Sequence, residues 1–315
     1  MNRTVEGGRT LLVGGPASVT LLKGRVRVLG ATIPTRRRII VRKGKSLPLE
    51  AEEDSTFDLV LGAEASVEEV VGNTIPDSWK NGVMRVLSQS KPCTVMIMGD
   101  VDCGKTTFST LLINHALSSQ SKTAIIDADL GQSDIGPPTT MGLSLIKEPI
   151  TELFSLEADK IFFVGATNPS RITDRVILGL GELKQRVGEM GVGLTVVNTD
   201  GWVRGEGAWS YKVRMVKELS PDFVVGIQQA DELEGLLASV EEEGFEVLRL
   251  ASSPALRRRD REERRGLREQ GYRKFLGEPS LRLLPREWVR FEYTPLGVGG
   301  PPPPGRREEL EEVFG

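Results

Sequence analysis

Along the first 63 residues, apolar positions come in short runs at 10–13, 19–22, 26–29, 39–41, 47–50 and 57–61. Gly14-Gly15-Pro16, Gly30, Pro34 and Lys43-Gly44-Lys45 break them. Runs of this length between glycine and proline turns predict β-strands, and their spacing predicts a small sandwich or barrel. Pro76-Asp77 then opens a helix whose apolar positions are Trp79, Val83, Val86 and Leu87. From residue 94 the rhythm changes. Apolar runs at 95–98, 123–126, 160–164, 194–197 and 223–227 alternate with helical stretches, the pattern of a parallel α/β sheet. Two more strands are predicted at 281–284 and 288–293, and Pro301 to Pro304 read as a stiff spacer. The organisation expected is a sandwich-like β domain over 1–75, an α/β domain over 76–276 and a short β-containing C-terminal domain or tail over 277–315.

Composition narrows the chemistry. The chain has 315 residues, 41 Lys or Arg against 44 Asp or Glu, and a net charge of −3, so any nucleic-acid contact must come from a local basic patch. The two cysteines, Cys93 and Cys103, exclude a disulfide scaffold and a cysteine-based zinc site. His115 is the sole histidine, which excludes a histidine metal cluster and a Ser-His-Asp triad. No apolar run approaches the length of a membrane span, and the N-terminal Met-Asn-Arg-Thr-Val-Glu-Gly-Gly-Arg lacks an apolar signal region. A cytoplasmic protein is the expectation.

Gly99-Asp100-Val101-Asp102-Cys103-Gly104-Lys105-Thr106 matches G-x-x-x-x-G-K-[ST] in full, and Thr107 follows it. An apolar strand precedes it. A helix follows, with Phe108, Leu111, Leu112 and His115 on one face. The glycines let the backbone curl until its N–H groups point at phosphate oxygens, and the helix N-terminus adds partial positive charge. Lys105 can neutralise the β- and γ-phosphates, and Thr106 can offer its hydroxyl to Mg2+. The expected fold class is therefore α/β, a phosphate-loop NTPase domain with a mostly parallel sheet. His115 reads as a partly buried structural residue, and Cys103 carries no assigned chemistry.

The strand at 123–126 ends in Asp127-Ala128-Asp129-Leu130-Gly131-Gln132. Strand residues two apart share a face, so Asp127 and Asp129 are expected to emerge together at the C-terminal edge of the sheet, where ligands bind. One would hold the metal shell, and the other would accept a proton from an attacking hydroxyl. No N-K-x-D base reader occurs, and Asp100 stands where a ParA- or MinD-like ATPase has its extra lysine. Both classes lose weight. Two further strand ends reach the same edge, one carrying Gly165-Ala166-Thr167-Asn168-Pro169 and the other Asn198-Thr199-Asp200-Gly201-Trp202. Thr199 can donate to a phosphate, Gly201 permits a sharp turn, and Trp202 is a rigid body for packing or stacking. Between Leu256 and Phe275, eight Arg and one Lys face four acidic residues. Asp260 and Glu263 predict a capping box, so a helix starts at Arg261, leaves Arg259 in the preceding loop and carries Arg264 and Arg268 at helical spacing.

Taken together, these segments resemble the polynucleotide 5'-hydroxyl kinases of the RNA cleavage-factor and ribosomal-RNA-processing type, in particular their archaeal members. The resemblance covers nearly the whole chain. It departs at Asp100, where the family often has Pro, and at Cys103, where it often has Val. It implies transfer of the γ-phosphoryl group of ATP, with Mg2+, to 5'-hydroxyl ends of RNA and also DNA. It makes Lys105, Asp129, Arg259 and Arg264 the catalytic set, with Thr106 and Asp127 at the metal. Gln132, Thr167, Thr199, Gly201, Trp202 and Arg268 take the acceptor side. Arg259 and Arg264 match two lid arginines that close over the phosphates, where a planar fork suits phosphate oxygens. Lys45 is a minor candidate near the adenine, and RNA-processing proteins are possible partners. Two alternatives stand beside this reading: a non-catalytic ATP-binding scaffold of an RNA-processing assembly, and a small-molecule kinase.

Overall fold

The computed structural model describes residues 1–277 except 91 and 257, together with positions 280, 283 and 285. The strands expected at 281–284 (Leu283 aside) and 288–293 and the proline run at 301–304 lie outside the described residues.

Nine strands precede the first helix: β1 (Asn2–Val5), β2 (Arg9–Gly14), β3 (Ala17–Lys23), β4 (Val26–Val28), β5 (Ala31–Ile33), β6 (Arg38–Val41), β7 (Ser46–Ala51), β8 (Ser55–Leu61) and β9 (Ser66–Val71). They form two antiparallel sheets, a four-stranded one ordered β1-β8-β3-β6 and a five-stranded one ordered β5-β4-β7-β2-β9. Alternation does the sorting. Val26 and Val28 of β4 are buried while Arg27 between them is exposed, as a half-buried strand requires.

Helix α1 (Asp77–Leu87) leads into β10 (Cys93–Gly99), α2 (Lys105–Ser118), β11 (Thr123–Ala128), β12 (Thr140–Ile146), β13 (Lys160–Phe163), α3 (Thr173–Met190), β14 (Leu194–Thr199), α4 (Glu206–Leu219), β15 (Phe223–Gln228), α5 (Glu234–Glu242), β16 (Val247–Ala251) and α6 (Arg261–Leu276). The strands make one seven-stranded sheet ordered β13-β12-β11-β14-β10-β15-β16. It is parallel from β11 to β16, while β12 runs antiparallel to both β11 and β13.

Central β10 is buried on both faces, and its period of two divides the molecule. Val95 and Ile97 join a core shared with α1, α2 and the N-terminal sheets, whereas Met96 and Met98 join the core under α3, α4 and α5. The first of these cores runs without a break from Val5 to Leu250. The N-terminal strands and the large sheet therefore share one apolar core. No helix of the described residues is long and apolar enough to cross a membrane.

A candidate nucleotide and acceptor site

The turn from β10 into α2 is crowded by design. Gly104 has φ 107°, and a Cβ there would lie 2.7 Å from Leu256 Cδ1 and 3.0 Å from Trp79 Cη2. A side chain is excluded by space as well as by conformation. Trp79, whose Nε1 donates to Ala251 O at 2.7 Å, meets Phe108 edge-on at 5.4 Å and fixes the outer wall of the loop. Lys105 is buried and donates from Nζ to Gly99 O (3.0 Å) and Asp100 O (2.8 Å).

The loop opens on a cavity of about 690 Å3 that runs from the phosphate loop to the N-terminal strands. Val101, Asp102, Gly104, Lys105, Thr106 and Thr107 line it. Gly99, Asp100 and Cys103 do not, and serve the loop from behind. Burial pushes the Cys103 thiol up. Asp129, Gln132, Thr167, Gly201 and Trp202 also line the cavity. Arg259, Arg264, Arg268 and Lys45 close the remaining sides.

Two further expected site residues are not brought to the cavity. Asp127 is fully buried, and both its oxygens are taken: Oδ2 accepts from Asp134 N (2.7 Å), and Oδ1 from Asn198 Nδ2 (3.0 Å) and Asp129 N (3.4 Å). It shapes the loop that follows β11 and does not line the cavity beside Thr106, where it was expected to help hold the metal's shell. Burial, with Asp134 and Asp129 nearby, pushes its carboxyl up to about 7. Thr199 is likewise fully buried and gives its hydroxyl to Ile97 O at 2.8 Å, so it pins β14 to β10 and does not reach a nucleic-acid phosphate.

Asp129 lies one residue beyond the end of β11, in a tight turn where Oδ1 accepts from Gly131 N (3.1 Å) and Gln132 N (3.0 Å). Burial raises its pKa, and Lys105 pulls it back. Gln132 Nε2 donates to Gly131 O (2.9 Å) and to Arg264 O (3.1 Å), tying this turn to α6.

The chain at Asp200 was not singled out by its sequence, yet it organises the Gly201-Trp202 turn. Its Oδ1 accepts from Trp202 N (2.9 Å), while Oδ2 accepts from Tyr211 Oη (2.9 Å) and pairs with Lys212 Nζ (3.0 Å). Lys212 is fully buried, and Asp200 lines the cavity. Trp202 stacks on Tyr211 at 5.5 Å. A Cβ on Gly201 would lie 2.6 Å from Val101 Cγ2 and 2.9 Å from Val101 N, so this turn touches the phosphate loop directly. Arg204 adds an ion pair to Asp100 at 2.6 Å. The signal available in the sequence was that Asp200, like Asp129, directly follows a buried strand of the same sheet.

Helix α6 begins at Arg261 behind the expected capping box: Asp260 Oδ1 accepts from Glu263 N (2.8 Å) and Glu263 Oε2 from Asp260 N (3.0 Å). Arg259 donates from Nη1 to Asp102 Oδ1 (2.7 Å) and from Nε to Gly44 O (2.8 Å), and Arg264 Nη1 pairs with Asp102 Oδ2 (3.3 Å). The far end of α6 is held by Lys274, whose Nζ donates to Phe154 O and to Leu156 O (2.8 Å). Beneath it, Arg42 joins Asp134 (3.1 Å) to Glu152 (2.9 Å) and lies 3.5 Å above the Phe154 ring, and Lys45 reaches Asp134 at 3.4 Å. Burial opposes the charge on Asp134, but Lys45 and Arg42 together hold its carboxyl below the usual range.

A glycine-lined loop on a helix N-terminus, with a lysine, a threonine and a cluster of arginines around one cavity, defines a phosphate-loop nucleotide-binding protein. The chain belongs to the mRNA cleavage and polyadenylation factor CLP1 P-loop family, whose sequence model matches residues 99–278. It is 32 % identical to the polyribonucleotide 5'-hydroxyl-kinase of Thermococcus kodakarensis over 73 % of this chain and 64 % of that protein. Its counterpart in Pyrococcus furiosus is 29 % identical over 76 % of this chain and 66 % of that protein. The matched region thus spans slightly less than two thirds of these curated relatives. The fold is that of Clp1p in the solved wild-type Clp1p–Pcf11p (454–563) complex, with a TM-score of 0.73, 14 % identity, and cover of 87 % of this chain and 72 % of that one.

Proposed function

We propose that the chain is an ATP-dependent polynucleotide 5'-hydroxyl kinase that transfers the γ-phosphoryl group to 5'-hydroxyl ends of RNA, and of DNA as a second acceptor. One observation carries this reading: Asp129, Lys105, Thr106, Arg259 and Arg264 line a single cavity. A carboxylate across from a phosphate loop is what acceptor activation needs. The names of the archaeal relatives support it.

The cavity fits a nucleoside triphosphate in shape and chemistry. Toward the N-terminal strands it is lined by Leu12, Leu29, Leu47 and Ile75, available to enclose a base, while Trp79 and Leu256 pack against Gly104 of the loop. Its near end holds the loop. Thr106 faces the cavity beside Lys105 and is the candidate ligand for Mg2+, which when bound neutralises charge on the β- and γ-oxygens. Lys105 exchanges the carbonyls of Gly99 and Asp100 for phosphate oxygens. Asp129 takes the proton as the acceptor 5'-oxygen bonds to the γ-phosphorus and the bond from that phosphorus to the β,γ-bridging oxygen breaks. Its raised pKa makes it a stronger base than an exposed aspartate. Trp202, Gly201 and Thr167 bound the acceptor side, Gln132 joins that side to the lid, and Arg268 extends the lid's positive charge. Arg259 and Arg264 meet the transferred group and keep water from competing as acceptor.

Within the same reading, 1–75, 76–276 and 277–315 are the domains, the setting is cytoplasmic, and the partners are RNA and RNA-processing proteins, in keeping with the protein-bound state of the Clp1p structure. The test is incubation with γ-labelled ATP, Mg2+ and 5'-hydroxyl RNA or DNA oligonucleotides. Label is expected on RNA, lost on chelation of Mg2+. Absence of label on both acceptors would favour the scaffold alternative, and preferential labelling of a mononucleoside would favour the small-molecule kinase.

A further inference from the structure

Inside the phosphate loop, neighbouring aspartates face different partners. Asp100 pairs with Arg204, beyond the Gly201-Trp202 turn, and Asp102 turns to the lid. The Asp102 side chain is only 5 % exposed. It accepts three bonds from the lid: Arg259 Nη1 at 2.7 Å, the Arg259 backbone N at 2.9 Å and Arg264 Nη1 at 3.3 Å. The residue also has φ 59°, a left-handed conformation. Among residues with a side chain, aspartate and asparagine tolerate that conformation best.

An arginine is a long, flexible side chain, and a fork aimed at phosphate must first be ordered. Here the ordering comes from the phosphate loop itself. Arg259 is gripped from two sides, by Asp102 and by Gly44 O, and both arginines still line the cavity. A carboxylate in this place has a second effect. It sits beside the loop that must accept a triphosphate, and like charges repel. An aspartate that merely served affinity for ATP would be badly chosen.

We propose that Asp102 is a positioning residue for phosphoryl transfer: it sets Arg259 and Arg264 in register with the phosphate loop, raising the rate of transfer while weakening ground-state ATP binding. The inference rests on the kinase reading above. It assigns Asp102 a role beyond the backbone cradle that the loop motif requires.

The test uses Asp102→Asn, which is nearly isosteric, and Asp102→Gly, which removes the side chain; both accommodate the left-handed backbone. In either variant kcat for RNA phosphorylation is expected to fall about tenfold while the ATP KM stays level or drops, the signature of an interaction realised in the transition state. In a chain already carrying Arg259→Ala and Arg264→Ala, Asp102→Asn should change the residual rate by less than about twofold, because its effect passes through those side chains. Hydrogen exchange gives a readout independent of activity. The Arg259 amide should be protected in the wild-type chain and exchange faster in Asp102→Gly, with the amides of α2 unchanged. The proposal is overturned by wild-type kcat in both variants, by an undiminished Asp102→Asn effect in the arginine-free background, or by an unprotected Arg259 amide in the wild-type chain. A wild-type chain that transfers no label would sink the kinase reading instead, and Arg259 exchange would still decide whether Asp102 holds the lid.

Discussion

Asp127 and Asp129 are two positions apart in the chain and have different surroundings: Asp129 lines the cavity and Asp127 does not. Asp129 faces the cavity with a carboxyl that burial makes more basic, so Asp129→Asn should keep ATP binding and lose about 10²–10⁴-fold in the transfer step, as single-turnover rates would show. Asp127→Asn should leave transfer within about threefold. If the Asn198 side chain turns its amide over, the new amide can donate to Asn198 Oδ1, a buried oxygen that has no hydrogen-bond partner among the described residues. The pH signature separates them further. Because the folded Asp127 titrates at about 7 and an unfolded aspartate at about 4, the folded chain holds a proton through that window that the unfolded chain has released. Stability contributed below pH 4 is therefore lost as pH rises to about 7. Chemical denaturation across pH should show this decline in the wild-type chain and a flatter profile in Asp127→Asn. The sequence suggested that both carboxylates reach the ligand edge. That inference assumed the strand continues through residue 129, whereas β11 ends at Ala128 and the chain turns. Lys212 and Arg42 were illegible for another reason: what gives them meaning is a partner brought near by folding.

At the scale of elements, the lid is legible because its signals are local. The capping box needs four consecutive residues, and its charge is visible in composition. What α6 rests on is not local: Asp102 below its start and the carbonyls of Phe154 and Leu156 below its end. Arg259→Ala or Arg264→Ala is expected to lower kcat by at least about tenfold and to raise the ATP KM much less. Lys at either position should rescue only part of the rate, since a point charge does not reproduce the fork. Equal, small and salt-sensitive effects at Arg258, Arg259 and Arg264 would instead mark α6 and its approach as a basic surface. Among strands, the uniformly apolar ones were plain. β12 was not, because Thr140, Gly142 and Ser144 interrupt its apolar positions, and neither was β9, whose Glu68 and Glu69 mark it as an edge strand.

Taken whole, the molecule has no loose joint between its N-terminal sheets and the phosphate-loop sheet. One core spans both, and the ion-paired group of Arg42, Asp134 and Glu152 crosses the same seam with little exposure. Calorimetry should therefore show the N-terminal sheets and the large sheet melting in one transition. Arg42→Ala should lower its midpoint, with a loss of the order of 3 kcal/mol from leaving the buried Asp134 carboxylate short of a partner. A separate early transition for the N-terminal strands would contradict this account.

The cavity's two ends have different ancestry in the chain, and that bears on small-molecule inhibition. A compound that mimics the triphosphate would engage a loop built to a pattern shared by many nucleotide-binding proteins. One that fills the apolar end would instead touch Leu12, Leu47 and Ile75. All three precede the matched segment 99–278, Leu12 on β2, Leu47 on β7 and Ile75 between β9 and α1. Selectivity is to be sought there, on side chains far in sequence from the chemistry that line the same cavity.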